Sequence, residues 1–179
     1  MKNDFVKPTV VLLLVTLFSA AIIGITHAVT EGPIQAQRAN IEMEAVLALL
    51  PNTYRIEYFA VDEADSSLTR LTVSYDRHGE TIGYVFSALP TGYGGRINMM
   101  VALDLYGVVL GIRIINHTET PGLGANITRD WFLGAFAGHS DTIAASDVPV
   151  IASSTISVSA VLRGANDAIN YLKTGGLIQ

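Results

Sequence analysis

Apolar and polar positions divide this chain into a long apolar stretch, a set of short β-patterned runs, and a closing helical pattern. Thr9 to Val29 contains no Asp, Glu, Lys or Arg, and a helix of that length spans roughly 31 Å, the hydrocarbon thickness of a bilayer. A transmembrane helix is predicted there. The rival is a cleaved secretory signal, since Lys2 and Lys7 precede the run and Thr26-His27-Ala28 offers a small-residue site; signal cores are usually shorter, about 7–15 residues. Ile34 to Leu50 then has Ile34, Ile41, Ala45, Ala48 and Leu49 on one side of a helix and ends at Pro51-Asn52, which predicts a linking helix.

Beyond it the period changes. Tyr54–Val61, Leu68–Tyr75 and Ile82–Leu89 are rich in β-branched and aromatic residues, with Asp76-Arg77-His78-Gly79 as a hairpin turn between the second and third. Pro90-Thr91-Gly92-Tyr93-Gly94-Gly95 breaks the sheet, Arg96–Leu103 resumes it, and Asp104–Gly107 turns into Val108–Ile115. Ile127–Ala137 reads as a short helix whose Trp131, Phe132, Leu133 and Phe136 face a core, with contact to a bound ring as the alternative for Trp131. Val148–Ile151 reads as extended. From Ser154 onward Val158, Val161, Leu162, Ala165, Ile169 and Leu172 follow helical spacing to a stop at Lys173 and Gly175-Gly176. The predicted class is α+β: residues 1–30 tip and membrane helix, 31–52 linker helix, 53–179 a domain with an antiparallel sheet and flanking helices.

Charge narrows the function. Past residue 30 there are 15 acidic and 9 basic side chains, a balance of −6, and no basic cluster that could track a phosphate backbone; nucleic acid is not an expected partner. Lys2 and Lys7 flank the apolar run on one side and Glu31 on the other, so the positive-inside rule leaves the N-terminus in the cytoplasm and the domain outside. The chain has no cysteine, which removes disulfides, thiolate zinc sites and self-bound iron–sulfur clusters. Its four histidines lack metal spacing, and no P-loop, G-x-S-x-G or H-E-x-x-H occurs. Two N-x-T triplets, at Asn116 and Asn126, are too short a motif to carry an assignment.

The polar and conformationally special residues collect in His117-Thr118-Glu119-Thr120-Pro121-Gly122-Leu123-Gly124, directly after an apolar run. A strand that ends in His, Thr and Glu and meets Pro and two glycines must turn sharply, and glycine lets backbone approach a neighbour closely. Two readings stand: an ordinary Pro-Gly turn, or a ligand-facing one. Gly92-Tyr93-Gly94-Gly95 likewise reads as a mobile loop or bulge, or as a cradle in which amides and one aromatic edge meet a flat ring. Ser153, Ser154 and Thr155 crowd the start of the last helix, as N-caps or as partners for an anion at the helix dipole.

The eight-residue stretch resembles the H-x-E-T-P-G-L-G signature of the G subunit of Rnf electron-transport complexes, related to the C subunit of the sodium-pumping NADH:quinone reductase. The order of a membrane helix, a glycine loop, the signature and a Ser/Thr-rich helix start is also similar over nearly the whole chain. The resemblance implies an FMN-binding domain on the periplasmic face of the bacterial inner membrane. It implies a flavin-carrying subunit of an ion-translocating ferredoxin:NAD+ oxidoreductase, partnered by other membrane subunits, with residues 9–29 in the bilayer and no catalysis of its own. The flavin site it implies comprises Gly92, Tyr93, Gly95, His117, Glu119, Thr120, Gly122, Leu123, Gly124, Ser153 and Ser154. Thr155 aligns with the family's acceptor threonine, to which a separate flavinyltransferase joins FMN through a phosphoester. Four departures surround it, because Pro149, Ala152, Ser153 and Ser154 stand where the attachment motif has Asp, Ser or Thr, Gly, and Ala. Ala125-Asn126 replaces a charged pair that often follows the signature. The competing expectation is a structural or assembly subunit that lost its covalent flavin or binds FMN noncovalently.

Overall fold

The computed structural model describes residues 6–61 and 66–175; Lys2 of the flanking charge and Gly176 of the expected helix stop lie outside them. The chain separates into two compact units, Met1–Ile41 and Glu42–Gln179.

Helix α1 runs without interruption from Val6 to Leu49, so the predicted membrane and linker helices are one. Pro33 lies inside it. A proline removes one helical hydrogen bond, here the one to the carbonyl of Val29, yet the run from Gln35 to Leu49 consists largely of strong helix formers and carries the helix past it. Every described side chain from Val6 to Ile41 is exposed. Among the described residues α1 is the one helix long and apolar enough to cross a membrane.

In the second unit five strands form an antiparallel meander in the order β1-β2-β3-β4-β5: β1 Arg55–Ala60, β2 Leu68–Tyr75, β3 Thr81–Ala88, β4 Asn98–Leu103 and β5 Val109–Asn116. The β2–β3 hairpin turns on Asp76, whose carboxylate accepts the amides of His78 (2.7 Å) and Glu80 (2.9 Å). Those amide donors, Glu80 first, hold its acid below the ordinary Asp range. After the sheet come a 3-10 turn Gly124–Thr128, the single-turn helix α2 Asp130–Leu133, a second 3-10 turn Gly134–Phe136, and helix α3 Thr155–Thr174.

Both faces of the sheet are covered, which explains why β3 and β4 are apolar almost without alternation. One face packs Phe86, Met99, Val101 and Leu103 against Ala160, Val161, Ala165, Ile169 and Leu172 of α3. The other sets Val85, Met100 and Ala102 against Ala45, Val46 and Leu50 at the end of α1. Successive residues thus point to opposite cores, as the period of two requires. Beside the second core Glu42 pairs with Arg70 at 2.6 Å, and the Arg70 guanidinium lies over the Tyr58 ring.

The segment expected as one helix, Ile127–Ala137, is instead broken into short turns. Gly134 interrupts it, and no side chain caps either 3-10 turn or α2. The rotation differs from a regular helix accordingly: Phe132 and Phe136 are fully buried and stack edge to face at 5.3 Å, whereas Trp131 is 55% exposed. The core role expected of Trp131 therefore falls to its neighbour. Val148–Ile151 joins no strand. It belongs to a long loop that buries Ile143, Val148 and Ile151 and leaves Val150 outside. Asn166 of α3 clips this loop through both the amide (2.8 Å) and the carbonyl (3.0 Å) of Ile143.

Truncating a fully buried aromatic costs about 3–5 kcal/mol. Phe132→Ala should lower unfolding stability by that order, and Trp131→Ala by less than about 1 kcal/mol. Denaturant unfolding of the two variants checks this, and equal losses would contradict the burial described.

Candidate functional site

Strand β5 ends at Asn116, and the eight residues that follow fold over the end of the sheet. Thr120 carbonyl accepts the Leu123 amide at 3.2 Å across Pro121-Gly122, and Gly122 has φ +77. Pro at the second position and positive φ at the third are the requirements of a type II turn. Nothing lies within 4 Å of where a Cβ of Gly122 would stand, so this glycine serves backbone conformation rather than close approach. Asn126, which replaces a charged residue of the family pattern, donates from its side-chain amide to Gly122 carbonyl at 3.0 Å. It holds the turn shut from within the protein.

The glycine loop is a tight hairpin between β3 and β4, closed by Gly92 amide to Gly95 carbonyl (2.8 Å) and Ile97 amide to Pro90 carbonyl (2.9 Å). It is fastened to the signature twice. Thr118 hydroxyl donates to Gly94 carbonyl at 2.8 Å, and Gly94 amide donates to Glu119 Oε1 at 3.0 Å. Here the glycines do serve close approach. A Cβ on Gly94 would run into the Thr118 carbonyl, one on Gly92 into Glu119 Oε1, and one on Gly124 would stand 2.5 Å from Glu119 Oε2. The partner approached in each case is the signature itself.

Glu119 is buried and its second oxygen accepts the Ser157 hydroxyl at 2.5 Å. Ser157 lies in the first turn of α3 and is 1% exposed. One carboxylate therefore joins three segments: the end of β5, the glycine loop and the start of α3. His117 stands behind it, with Nδ1 accepting the Glu119 amide at 3.2 Å.

The start of α3 is unusual. Ser154 occupies the N-cap, is 3% exposed and makes no capping hydrogen bond; its hydroxyl donates to Ala152 carbonyl at 3.3 Å instead. Ser153 has φ +60, the one non-glycine at positive φ among the described residues. That conformation costs an L-residue roughly 1–2 kcal/mol, and it falls where the attachment motif has Gly. The first-turn amides of an α-helix have no intrahelical acceptor, so an uncapped start offers them to an anion.

Between these pieces opens a cavity of about 440 Å³ lined by Tyr93, Glu119, Thr120, Leu123, Gly124 and residues 153–157. Of the residues named from sequence, Tyr93, Glu119, Thr120, Leu123, Gly124, Ser153, Ser154 and Thr155 line it. Gly92, Gly95, His117 and Gly122 do not; they shape the loops behind. Ser157 and Ile156 line it and were not named. No lining residue is basic. Among the described residues no group of three His, Asp or Glu side chains is placed to hold a metal ion.

Residues 92–170 match the family model for the FMN-binding domain. The chain is 28% identical to the G subunit of the ion-translocating oxidoreductase complex of Methanosarcina acetivorans, over 95% of each chain. The chain is thus similar, over most of its length, to G subunits of ion-translocating oxidoreductase complexes. It is also 34% identical to the corresponding G subunit of Cereibacter sphaeroides, over 72% of this chain and 62% of that one. It thus spans nearly the full length of the archaeal relative and less than two thirds of the bacterial one. In fold it is similar to the crystal structure of the C subunit of the Na(+)-translocating NADH-quinone reductase from Parabacteroides distasonis, with TM-score 0.51 and 18% identity over 68% of this chain and 77% of that one.

The two kinds of glycine predict different tolerances. Gly122→Asn should be nearly neutral in thermal unfolding, because Asn adopts positive φ at small cost and open space surrounds the site. Gly94→Ala should destabilise the domain and release the glycine loop, visible as faster amide exchange at residues 92–97. Equal behaviour of the two variants would contradict the packing of Gly94 on Thr118.

Proposed function

We propose that the chain is a flavin-carrying, electron-transferring subunit of a membrane-bound ion-translocating ferredoxin:NAD+ oxidoreductase complex, with FMN held by a phosphoester to Thr155. The observation that carries this reading is the cavity at the uncapped start of α3, where Thr155 meets the residues of the signature and Tyr93 of the glycine loop. The cavity fits the group. Its mouth carries exposed apolar or aromatic side chains, Tyr93, Leu123 and Ile156, suited to the faces of a planar ring. Its floor carries hydroxyls and free amides suited to a phosphate.

Charge favours attachment over loose binding. A phosphomonoester carries about −1.5 to −2 at neutral pH, and the cavity offers it no cation while holding the Glu119 carboxylate. A diester carries one charge fewer. In the joining step Thr155 Oγ gives up its proton and forms the oxygen–phosphorus bond, so the net addition is FMN less one water, without redox change. An external flavinyltransferase supplies an activated FMN donor whose phosphoanhydride bond breaks as the Oγ–phosphorus bond forms; the distal phosphate leaves with the bonding electron pair, and the threonine proton passes to solvent. Once bound, the flavin supplies one- and two-electron redox chemistry, and the chain's residues bind and orient it.

The reading extends to the complex. The relatives' names place them in ion-translocating oxidoreductase complexes, and further membrane subunits are the partners of this chain. The helix crosses the bilayer with the N-terminus cytoplasmic and the domain periplasmic. A second reading, a structural subunit without covalent flavin, draws on the strained Ser153 and its neighbours, which depart from the attachment motif.

Intact-protein mass spectrometry of the chain, produced with its flavinyltransferase and complex partners, tests the proposal. A gain of FMN less water that disappears in Thr155→Val and persists in Ser153→Ala and Ser154→Ala is expected. An unmodified wild-type mass refutes covalent attachment, and loss of all yellow colour on purification leaves the structural-subunit reading.

A further inference from the structure

We infer that Ser157 is a positioning residue: acting through Glu119, it fixes the first turn of α3 against the glycine loop so that Thr155 faces the cavity in the geometry needed for modification. This rests on the flavin reading above and assigns a role to a residue outside it.

Ser157 is a polar side chain on the buried stripe of α3, in line with Val161, Gly164 and Ala168, and is 1% exposed. A hydroxyl in that position needs a partner, and it has one, Glu119 Oε2 at 2.5 Å. The same carboxylate accepts Gly94 amide through its other oxygen at 3.0 Å. Both oxygens of Glu119 are thereby engaged by protein, so the carboxylate acts on the cavity by fixing what surrounds it. The clamp is also sterically enclosed. A Cβ on Gly124 would lie 2.5 Å from Glu119 Oε2 and 2.7 Å from Ser157 Oγ, while one on Gly92 would strike Oε1. Two glycines leave room for this carboxylate and for little else.

The local helix start cannot do this work alone. Ser154 provides no side-chain cap, and Ser153 holds a backbone conformation that works against order. With cap and preceding turn both weak, the tie from Ser157 to Glu119 is the tertiary bond that sets the direction of the first turn. Thr155 is two residues from Ser157 and exposed, so its orientation follows that bond.

The test uses the full chain in detergent, made with and without the flavinyltransferase, and compares wild type with Ser157→Ala, Glu119→Ala and Glu119→Gln. Glutamine keeps an acceptor for Gly94 amide and can donate to Ser157 oxygen, so it preserves the clamp without the charge. Expected is a modified fraction lowered at least several-fold in Ser157→Ala and Glu119→Ala and substantially restored in Glu119→Gln. In the unmodified proteins, amide exchange at Gly94 and in the first turn of α3 should rise in the two alanine variants while exchange at β3 and β4 stays at wild-type rates. Ser157→Ala modified to the wild-type extent, with Gly94 still protected, overturns the inference. So does equal loss in all three variants, which would point to the charge rather than the clamp. If Ser157→Ala fails to fold, the Glu119→Ala and Glu119→Gln pair decides by the same readouts. Wild type unmodified by the transferase sinks the covalent reading, while exchange at Gly94 and α3 still reports whether the clamp exists.

Discussion

The junction of the β5 end, the glycine loop and the start of α3 depends on one buried carboxylate. Glu119 sits just past the end of β5, and its two oxygens draw in a loop 25 residues earlier and a helix 38 residues later. A charge removed from water is unfavourable unless it is fully hydrogen-bonded, and that penalty is what makes the arrangement specific. Any packing that leaves Gly94 or Ser157 out of reach strands an acceptor. Hydrogen bonds to a charged group are each worth about 1.5–3 kcal/mol, several times the ordinary turn preference that would otherwise decide the loop's position. The glycines around Glu119 follow from this constraint, because a carboxylate between two backbones leaves no volume for Cβ atoms.

The sheet provides the rigid platform that makes such a junction possible. With α3 on one face and the last turns of α1 on the other, β3 and β4 lose solvent on both sides, and their register is fixed by two cores at once. Loops at the end of that sheet inherit fixed anchor points. The β3–β4 loop and the segment after β5 leave neighbouring strands, so they meet side by side, and the Thr118 to Gly94 bond closes the contact. The free choices remaining are the direction of α3 and the path of the loop before it, which Asn166 and the Lys173–Asp141 pair hold from the far side.

Much of this was legible in the sequence, for identifiable reasons. Runs of β-branched residues between strong turn signals located β2 to the residue and β3 and β5 to within one, because strand pattern and turn chemistry agreed there. The unbroken α1 was not legible, since Pro33 after Gly32 is a stop signal that a strongly helical flank overrides. Trp131 and Phe132 are adjacent aromatics, and spacing cannot say which is buried once the helix is interrupted at Gly134. Glu119 was legible as special but not as a clamp, because its partners are set by tertiary structure. Ser157 left one signal, a hydroxyl on the apolar stripe of α3, and a serine near a helix start is so common that the signal is lost among the caps.

The start of α3 departs from local rules in three consecutive residues. Ser153 takes a conformation that glycine would take freely, Ser154 stands at the cap and does not cap, and Thr155 exposes a hydroxyl to a cavity. Strained backbone persists only where the surroundings over-determine it, and here the surroundings are the Glu119–Ser157 bond on one side and the buried Ile151 on the other. Sequences that specify a fold agree across levels except where function intervenes. Stability alone would have favoured Gly at 153 and a Ser154 hydroxyl turned to a first-turn amide rather than to the Ala152 carbonyl. A helix start left uncapped leaves its first amides open toward the cavity, and Thr155 lines that cavity with an exposed side chain. The strain that weakens the local turn thus leaves more of the helix direction to the clamp, and links the chemistry proposed at Thr155 to the carboxylate of Glu119.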